Sequence, residues 1–166
     1  MVGHSLAGLT IPIAAGRTRT SMTIYLCALL PVPGLSWDAQ RAGFGTGFEP
    51  SEPAVAHEDG SASMTERGAI EVFFHDCPPE IAAAAAGRLR RQHWKITQEL
   101  TPLRQWPAVR SAYILCRDDR MVSPEYGRRA ARLQLGIEPI ELRGGHSPFL
   151  SRPRELAQTL VVVASR

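Results

Sequence analysis

Three groups in this sequence have the types needed for nucleophilic acyl transfer: a serine among small residues, a histidine in a glycine loop and a carboxylate. The serine is Ser5, in GHSLAG at residues 3–8. A serine at a sharp strand-to-helix turn sits in a strained conformation, and small residues two before and two after it let that turn close. Gly3 and Ala7 hold those places, with Gly8 following. The helix N-terminus beneath Ser5 favours developing negative charge. Taken alone, the pattern also fits a plain helix cap. The carboxylate is Asp118 or Asp119, in CRDDRMVSPEY, and the histidine is His146, in RGGHSPF. Together they could run a covalent mechanism. In such a mechanism a histidine can take the proton of a serine hydroxyl as its oxygen attacks a carbonyl, and a carboxylate can fix the imidazole tautomer.

The other histidines are weaker candidates. His4, at the free position of the serine motif, reads as a residue beside the pocket. His75 with Asp76 could mimic a catalytic pair, but its place before a helix favours a structural or capping role. His57 and His93 sit in polar surroundings and read as surface residues. No His, Asp or Glu cluster has metal-ligand spacing, and no cofactor is expected. Trp37, Phe44, Phe48, Phe73, Phe74 and Trp94 are candidates to line an apolar substrate pocket, and ordinary packing explains them equally well.

The elements that must position these groups can be read from pattern and punctuation. Small apolar residues after Ser5 predict a buried helix ending near Gly16. SMTIYLCALLP is an unbroken apolar run that fits a strand covered on both faces. Residues 31–68 are rich in Gly, Pro, Ser, Asp and Glu, an insertion too long for an ordinary connection and of the kind that often covers an active site. AIEVFFHD reads as a short strand. PPEIAAAAAGRLRRQ reads as a helix, with Asp76 near its cap. SAYILCRDD is a strand whose acidic end lies where open parallel sheets place functional groups. SPEYGRRAARLQLG is a helix with Ser123 as cap, Pro124 first and Gly136 as stop. IEPIELRGGH is a strand leading to a loop, and SRPRELAQTLVVVAS is an amphipathic helix. Strand and helix in alternation predict a parallel α/β sheet.

The chain has 166 residues, 44% hydrophobic and 21% charged, the composition of one soluble globular domain. No run is apolar enough to span a bilayer and no secretory leader is visible, so a cytoplasmic location is the default expectation. The net charge is +3, but the arginines scatter among acids. Arg88, Arg90 and Arg91 read as a solvated helix face rather than a phosphate-contacting stripe, so no nucleic-acid partner is expected. Cys27, Cys77 and Cys116 fit no metal spacing, and Cys27 and Cys116 read as buried thiols.

The segments GHSLAGLTIPIAA, FFHDCPPE, YILCRDDRMVSPEY and GIEPIELRGGHSPFLSRPREL resemble the α/β-hydrolase superfamily. Within it they are similar to the branch of small methylesterases and hydroxynitrile lyases related to plant salicylate and jasmonate methylesterases. The chain order Ser, Asp, His is the order of that superfamily. The resemblance implies that Ser5 is the nucleophile, His146 the general base and one aspartate the orienting acid. In this branch the acid typically stands five residues before the loop proline, which selects Asp119, five before Pro124, with Asp118 pointing elsewhere. It further implies the backbone N–H of Leu6 as one oxyanion donor. The second donor is expected from a loop that family members carry, with their first strands and helices, ahead of the serine motif. The expected architecture is thus the C-terminal part of an α/β-hydrolase: one domain over residues 1–166, a mainly parallel sheet with flanking helices, and residues 31–105 as a lid. The expected function is a carboxylic-ester hydrolase acting on small apolar esters through an acyl-enzyme. Two alternatives stand beside it. A hydroxynitrile lyase would use the same triad, but that branch typically places a lysine directly after the histidine, where this chain has Ser147; its single lysine is Lys95. The other is a non-catalytic remnant or ligand-binding protein.

Overall fold

A computed structural model describes residues 1–41 and 50–165; Phe44 and Phe48 lie outside the described residues. The chain opens on strand β1 (Val2–His4) and passes straight into a 3-10 turn (Ser5–Leu9) and a short helix α1 (Ile11–Ala15). The expected single helix is thus split at Thr10. Pro12, in the first turn of α1, has no N–H to continue a hydrogen-bond ladder through the junction. Strand β2 (Met22–Leu26) follows, fully buried. Then come helix α2 (Trp37–Arg41) and the paired strands β3 (Val55–Ala56) and β4 (Ser61–Ser63). Helices α3 (Glu66–Phe73) and α4 (Pro79–Ala86), strand β5 (Gln92–His93) and helix α5 (Lys95–Gln98) complete the middle.

The last third is regular. Strand β6 (Arg110–Cys116) leads to helix α6 (Pro124–Ala130), which runs on as a π turn (Ala131–Leu135). The Ser123 hydroxyl accepts the Tyr126 N–H at its start, and Gly136 stops it in the left-handed conformation at φ 66°. Strand β7 (Ile140–Leu142), helix α7 (Pro148–Ser151) and helix α8 (Pro153–Ala164) close the chain.

The main sheet has the order β1-β2-β6-β7, with every neighbour parallel. Alternation along the strands feeds two cores. Tyr25, Tyr113 and Leu115 pack with Ile11, Val122, Tyr126 and Ala130 on one face. Ile24, Leu26, Ala112, Ile114 and Cys116 pack with Leu156 and Val163 of α8 on the other. Each fully buried aliphatic side chain of this kind contributes about 1.5–3 kcal/mol. A third cluster, Ala69, Phe74, Ala82 and Ala86, joins α3 to α4.

Three expectations are corrected. AIEVFFHD is not a strand: AIEVF is the body and end of α3 and FHD the turn after it. The Thr65 hydroxyl accepts the Gly68 N–H, and Ala69 and Val72 bury on one helical face. Asp76 does not cap α4, whose cap position is Pro78 without a side-chain bond. Arg88, Arg90 and Arg91 are exposed, yet they follow the helix rather than lie on it, because α4 ends at Ala86. Among the described residues, no helix is long and apolar enough to cross a membrane.

Candidate active site

Ser5 follows β1 directly and has φ 54°, a left-handed conformation that costs a non-glycine residue energy and persists only where its surroundings fix it. Two contacts do so. The Leu29 N–H donates to the Ser5 carbonyl at 3.0 Å. At Gly8, a Cβ would collide with the Leu29 carbonyl oxygen, so the turn can lie on this segment only with glycine there. The residue expected to let the turn close, Ala7, is exposed, and the packing demand falls one position later. Gly3 is as expected, its α-hydrogen side pressed by Ile11. The segment under the turn is itself fixed: the Tyr113 hydroxyl donates to the Ala28 carbonyl at 2.6 Å, and the Tyr126 hydroxyl accepts the Leu30 N–H at 2.8 Å. Burial pushes both phenols above their usual range, so they stay neutral.

Asp119 lies in the turn after β6 and His146 in the loop after β7, adjacent parallel strands whose C-terminal ends lie side by side. His146 Nδ1 is 2.9 Å and 3.0 Å from the two Asp119 oxygens. The two side chains are 2% and 1% exposed. A carboxylate only accepts, so Nδ1 carries the proton and Nε2 is left as the acceptor, the tautomer a general base needs. Asp119 Oδ1 also accepts the Met121 and Val122 N–H groups at 2.8 and 2.9 Å, which fixes the carboxylate plane.

Asp118 is exposed and faces another way. Its Oδ2 accepts the Gly144 N–H at 3.1 Å, while its own N–H donates to the Gly144 carbonyl at 3.0 Å. His4 joins the serine turn to the histidine loop. Its Nε2–H donates to the His146 carbonyl at 2.7 Å, and the two rings lie 4.5 Å apart. Burial first, and then repulsion by His146, hold the His4 pKa down to about 4, so the ring is neutral near pH 7. Ser5 is the next residue in the chain, and among the described residues no hydrogen bond joins its hydroxyl to His146. Beneath the site Cys27 has φ 44° and a thiol pushed well up, by its contact with Cys116, by burial and by the Asp119 charge.

The aromatic candidates divide. Phe73 stands 5.6 Å from the His146 ring. Trp37 is half-buried, edge-on to Tyr126 at 5.5 Å. Phe74 turns into the α3–α4 core, and Trp94 is 41% exposed ahead of α5. Phe149, absent from the sequence candidates, stands edge-on to His4 at 5.0 Å. Its spacing of three from His146, across the Ser147-Pro148 helix start, was the available signal. His93 is exposed, and His57 is half-buried against Ser63. A cavity of about 170 Å³ lies between the serine-turn residues Leu9 and Thr10 and Leu35, Trp37, Ile96 and Leu100. A larger one, about 480 Å³, runs along Pro12, Gly16 and Pro102–Val109. Neither is lined by Ser5, Asp119 or His146.

A profile of the alpha/beta hydrolase family matches residues 1–159. The chain belongs to this family. A probable esterase, PIR7A, of rice (Oryza sativa) is 25% identical over an alignment of 189 positions, covering 100% of this chain and 70% of the relative. Salicylic acid-binding protein 2 of Nicotiana tabacum is 23% identical over 192 positions, with the same two coverages of 100% and 70%. Among solved structures, polyneuridine aldehyde esterase superposes with a TM-score of 0.78 at 18% identity, over 98% of this chain and 70% of that one. The methylesterase MES16 of Arabidopsis gives 0.74 at 22% identity, over 99% and 68%. These superpositions take in nearly all of this alpha/beta hydrolase chain, whose parallel β1-β2-β6-β7 sheet has helices on both faces.

Proposed function

We propose that this chain is a carboxylic-ester hydrolase that cleaves small apolar esters through a covalent acyl-enzyme, with Ser5 as nucleophile, His146 as general base and Asp119 as the acid that orients it. The observation that carries the reading is the fully buried Asp119–His146 pair, with the His146 proton on Nδ1, tied through His4 to a serine held at positive φ. The free lone pair of His146 Nε2 takes the Ser5 proton as Oγ attacks the ester carbonyl. The same nitrogen, now protonated, gives that proton to the leaving alcohol, and water repeats the cycle to release the acid. Asp119 stabilises the imidazolium. The Leu6 N–H, in the first turn of a helix where N–H groups lack intrahelical acceptors, serves as one oxyanion donor. Residues 31–105 act as the lid, from which Phe73 stands against the His146 ring. The esterases and methylesterases among the relatives support the substrate class.

A hydroxynitrile lyase would need a charged group to stabilise departing cyanide. The residue after His146 is Ser147, buried and uncharged, and Lys95 is exposed on α5. The test is a side-by-side assay of acid release from short aryl and methyl esters and of cyanide release from mandelonitrile, with Ser5→Ala as reference. Ester turnover that falls by several powers of ten in Ser5→Ala is expected. Serine-dependent cyanide release exceeding ester turnover would overturn the assignment. Serine-independent behaviour towards both substrates would point to a binding protein.

A further inference from the structure

We propose that Asp76 is a positioning residue: it latches the lid segment onto the loop that carries His146. The inference rests on the reading of His146 as the general base. Three consecutive residues of that loop are each held by a different aspartate. Asp118 takes the Gly144 N–H at 3.1 Å, Asp76 takes the Gly145 N–H at 2.8 Å, and Asp119 takes the His146 ring. Asp118 and Asp119 belong to the turn after β6, whereas Asp76 comes from between α3 and α4, 69 residues away in sequence.

The fit explains both glycines before His146. A Cβ on Gly144, which has φ 98°, would lie 2.6 Å from Asp76 Oδ2 and 2.7 Å from Arg152 Nε. A Cβ on Gly145 would lie 2.8 Å from Asp76 Oδ1 and 2.6 Å from the His75 ring. Any side chain at either position would therefore push the carboxylate out. Gly144, Gly145 and His146 are all buried, so the Gly145 N–H has no ready exchange of Asp76 for solvent. Two further contacts tie the same stretch to the site: the Phe73 ring against His146, and the Arg120 guanidinium donating to the Glu71 carbonyl at 3.0 Å. His75 Nδ1 and Asp76 Oδ1 are buried without hydrogen-bond partners among the described residues, so the segment is held to the loop chiefly through Asp76 Oδ2. When the segment lifts, the Gly145 amide is released and the His146 ring loses the backbone that aims it at Ser5. Closure of the lid and correct placement of the base are thus one event.

The experiment uses the 166-residue chain with Asp76→Ala, Asp76→Asn and Ser5→Ala. Gly145 amide exchange is followed by NMR, and acylation of Ser5 by the rate of labelling with a fluorophosphonate. In the wild type the Gly145 amide should be protected. Asp76→Ala should speed its exchange about tenfold with strand β6 amides unchanged, as expected for one lost buried bond. The same change should slow labelling by about 100-fold, since misplacing a reacting group by about 1 Å costs that much. Asp76→Asn keeps a carbonyl oxygen for Gly145 and should recover labelling to within about threefold, because one neutral bond replaces a charge-assisted one. An unprotected Gly145 amide in the wild type overturns the latch without any variant, should Asp76→Ala fail to fold. Labelling that depends on Ser5 but is equal in wild type and Asp76→Ala also overturns it, as does an Asn variant as slow as the Ala one. Labelling that persists in Ser5→Ala overturns instead the triad reading on which the latch depends.

Discussion

Replacing Asp119 with asparagine should leave the fold almost intact and nearly abolish turnover, and the hydrogen bonds show why. Oδ1 accepts two backbone N–H groups, from Met121 at 2.8 Å and Val122 at 2.9 Å. The asparagine amide has one oxygen, and it must take this side, because an NH2 there would face two N–H donors. The NH2 then occupies the place of Oδ2, 2.9 Å from His146 Nδ1. It donates to Nδ1, which moves the imidazole proton to Nε2, and a protonated Nε2 cannot accept from Ser5. The stability cost is one exchanged hydrogen bond, about 1–2 kcal/mol. The rate cost for holding the wrong tautomer is about 10⁴-fold, which corresponds to about 5.5 kcal/mol in the barrier. Asp119→Ala behaves differently: it strips the acceptor from both N–H groups and the ring, and should cost about 2–5 kcal/mol of stability. The assay is kcat on a short aryl ester together with urea unfolding for Asn, Ala and the neighbouring Asp118→Asn. Asp118→Asn can still accept the Gly144 N–H and should stay within a few-fold of wild type. An Asp119→Asn enzyme within tenfold of wild type, or equal losses from the two asparagine variants, would refute the assignment of the acid.

Further outcomes follow from the serine turn. Gly8→Ala drives a methyl into the Leu29 carbonyl and should cost about 1–3 kcal/mol of unfolding free energy, with a fall in ester turnover as the turn shifts; an unchanged urea midpoint would show that the turn is not seated on Leu29. His4 protonates near pH 4 when folded and near 6.5 when unfolded, so the unfolded chain binds more protons between those values. Its stabilisation is therefore complete above pH 6.5 and lost as pH falls towards 4. Unfolding free energy should drop across that window by roughly 1–3 kcal/mol more in wild type than in His4→Gln, the comparison cancelling the parallel contribution of His75. Equal slopes in the two proteins would mean that His4 is solvated.

Much of the architecture was legible because its signals are local. A cap and a stop sit within a few residues of the helix they bound, which is why Ser123, Pro124 and Gly136 marked the element after β6. The buried strands β2 and β6 announced themselves as unbroken apolar runs. Where local signals competed, the sequence misled. AIEVFFHD has β-branched and aromatic residues enough for a strand, but Thr65 upstream supplies a helix cap, and the core formed with α4 takes Ala69 with Ile70 and Phe73 from the helix.

The sequence by itself determined the alternation of strand and helix at both ends of the chain, the parallel sheet and the three residue types able to carry acyl transfer. Chain order and periodicity act over neighbouring residues and survive without a fold. Only the tertiary structure decided which side chains meet. His4 reaches the His146 carbonyl across 142 residues, and Asp76 reaches Gly145 across 69. Gly8, rather than Ala7, became the indispensable small residue because the Leu29 carbonyl lies against it, a contact set by the packing of β2 and its extension under the turn. Asp118 and Asp119 are chemically identical neighbours. What separates them is direction: the turn after Cys116 leaves one side chain exposed on the Gly144 amide and buries the other against an imidazole.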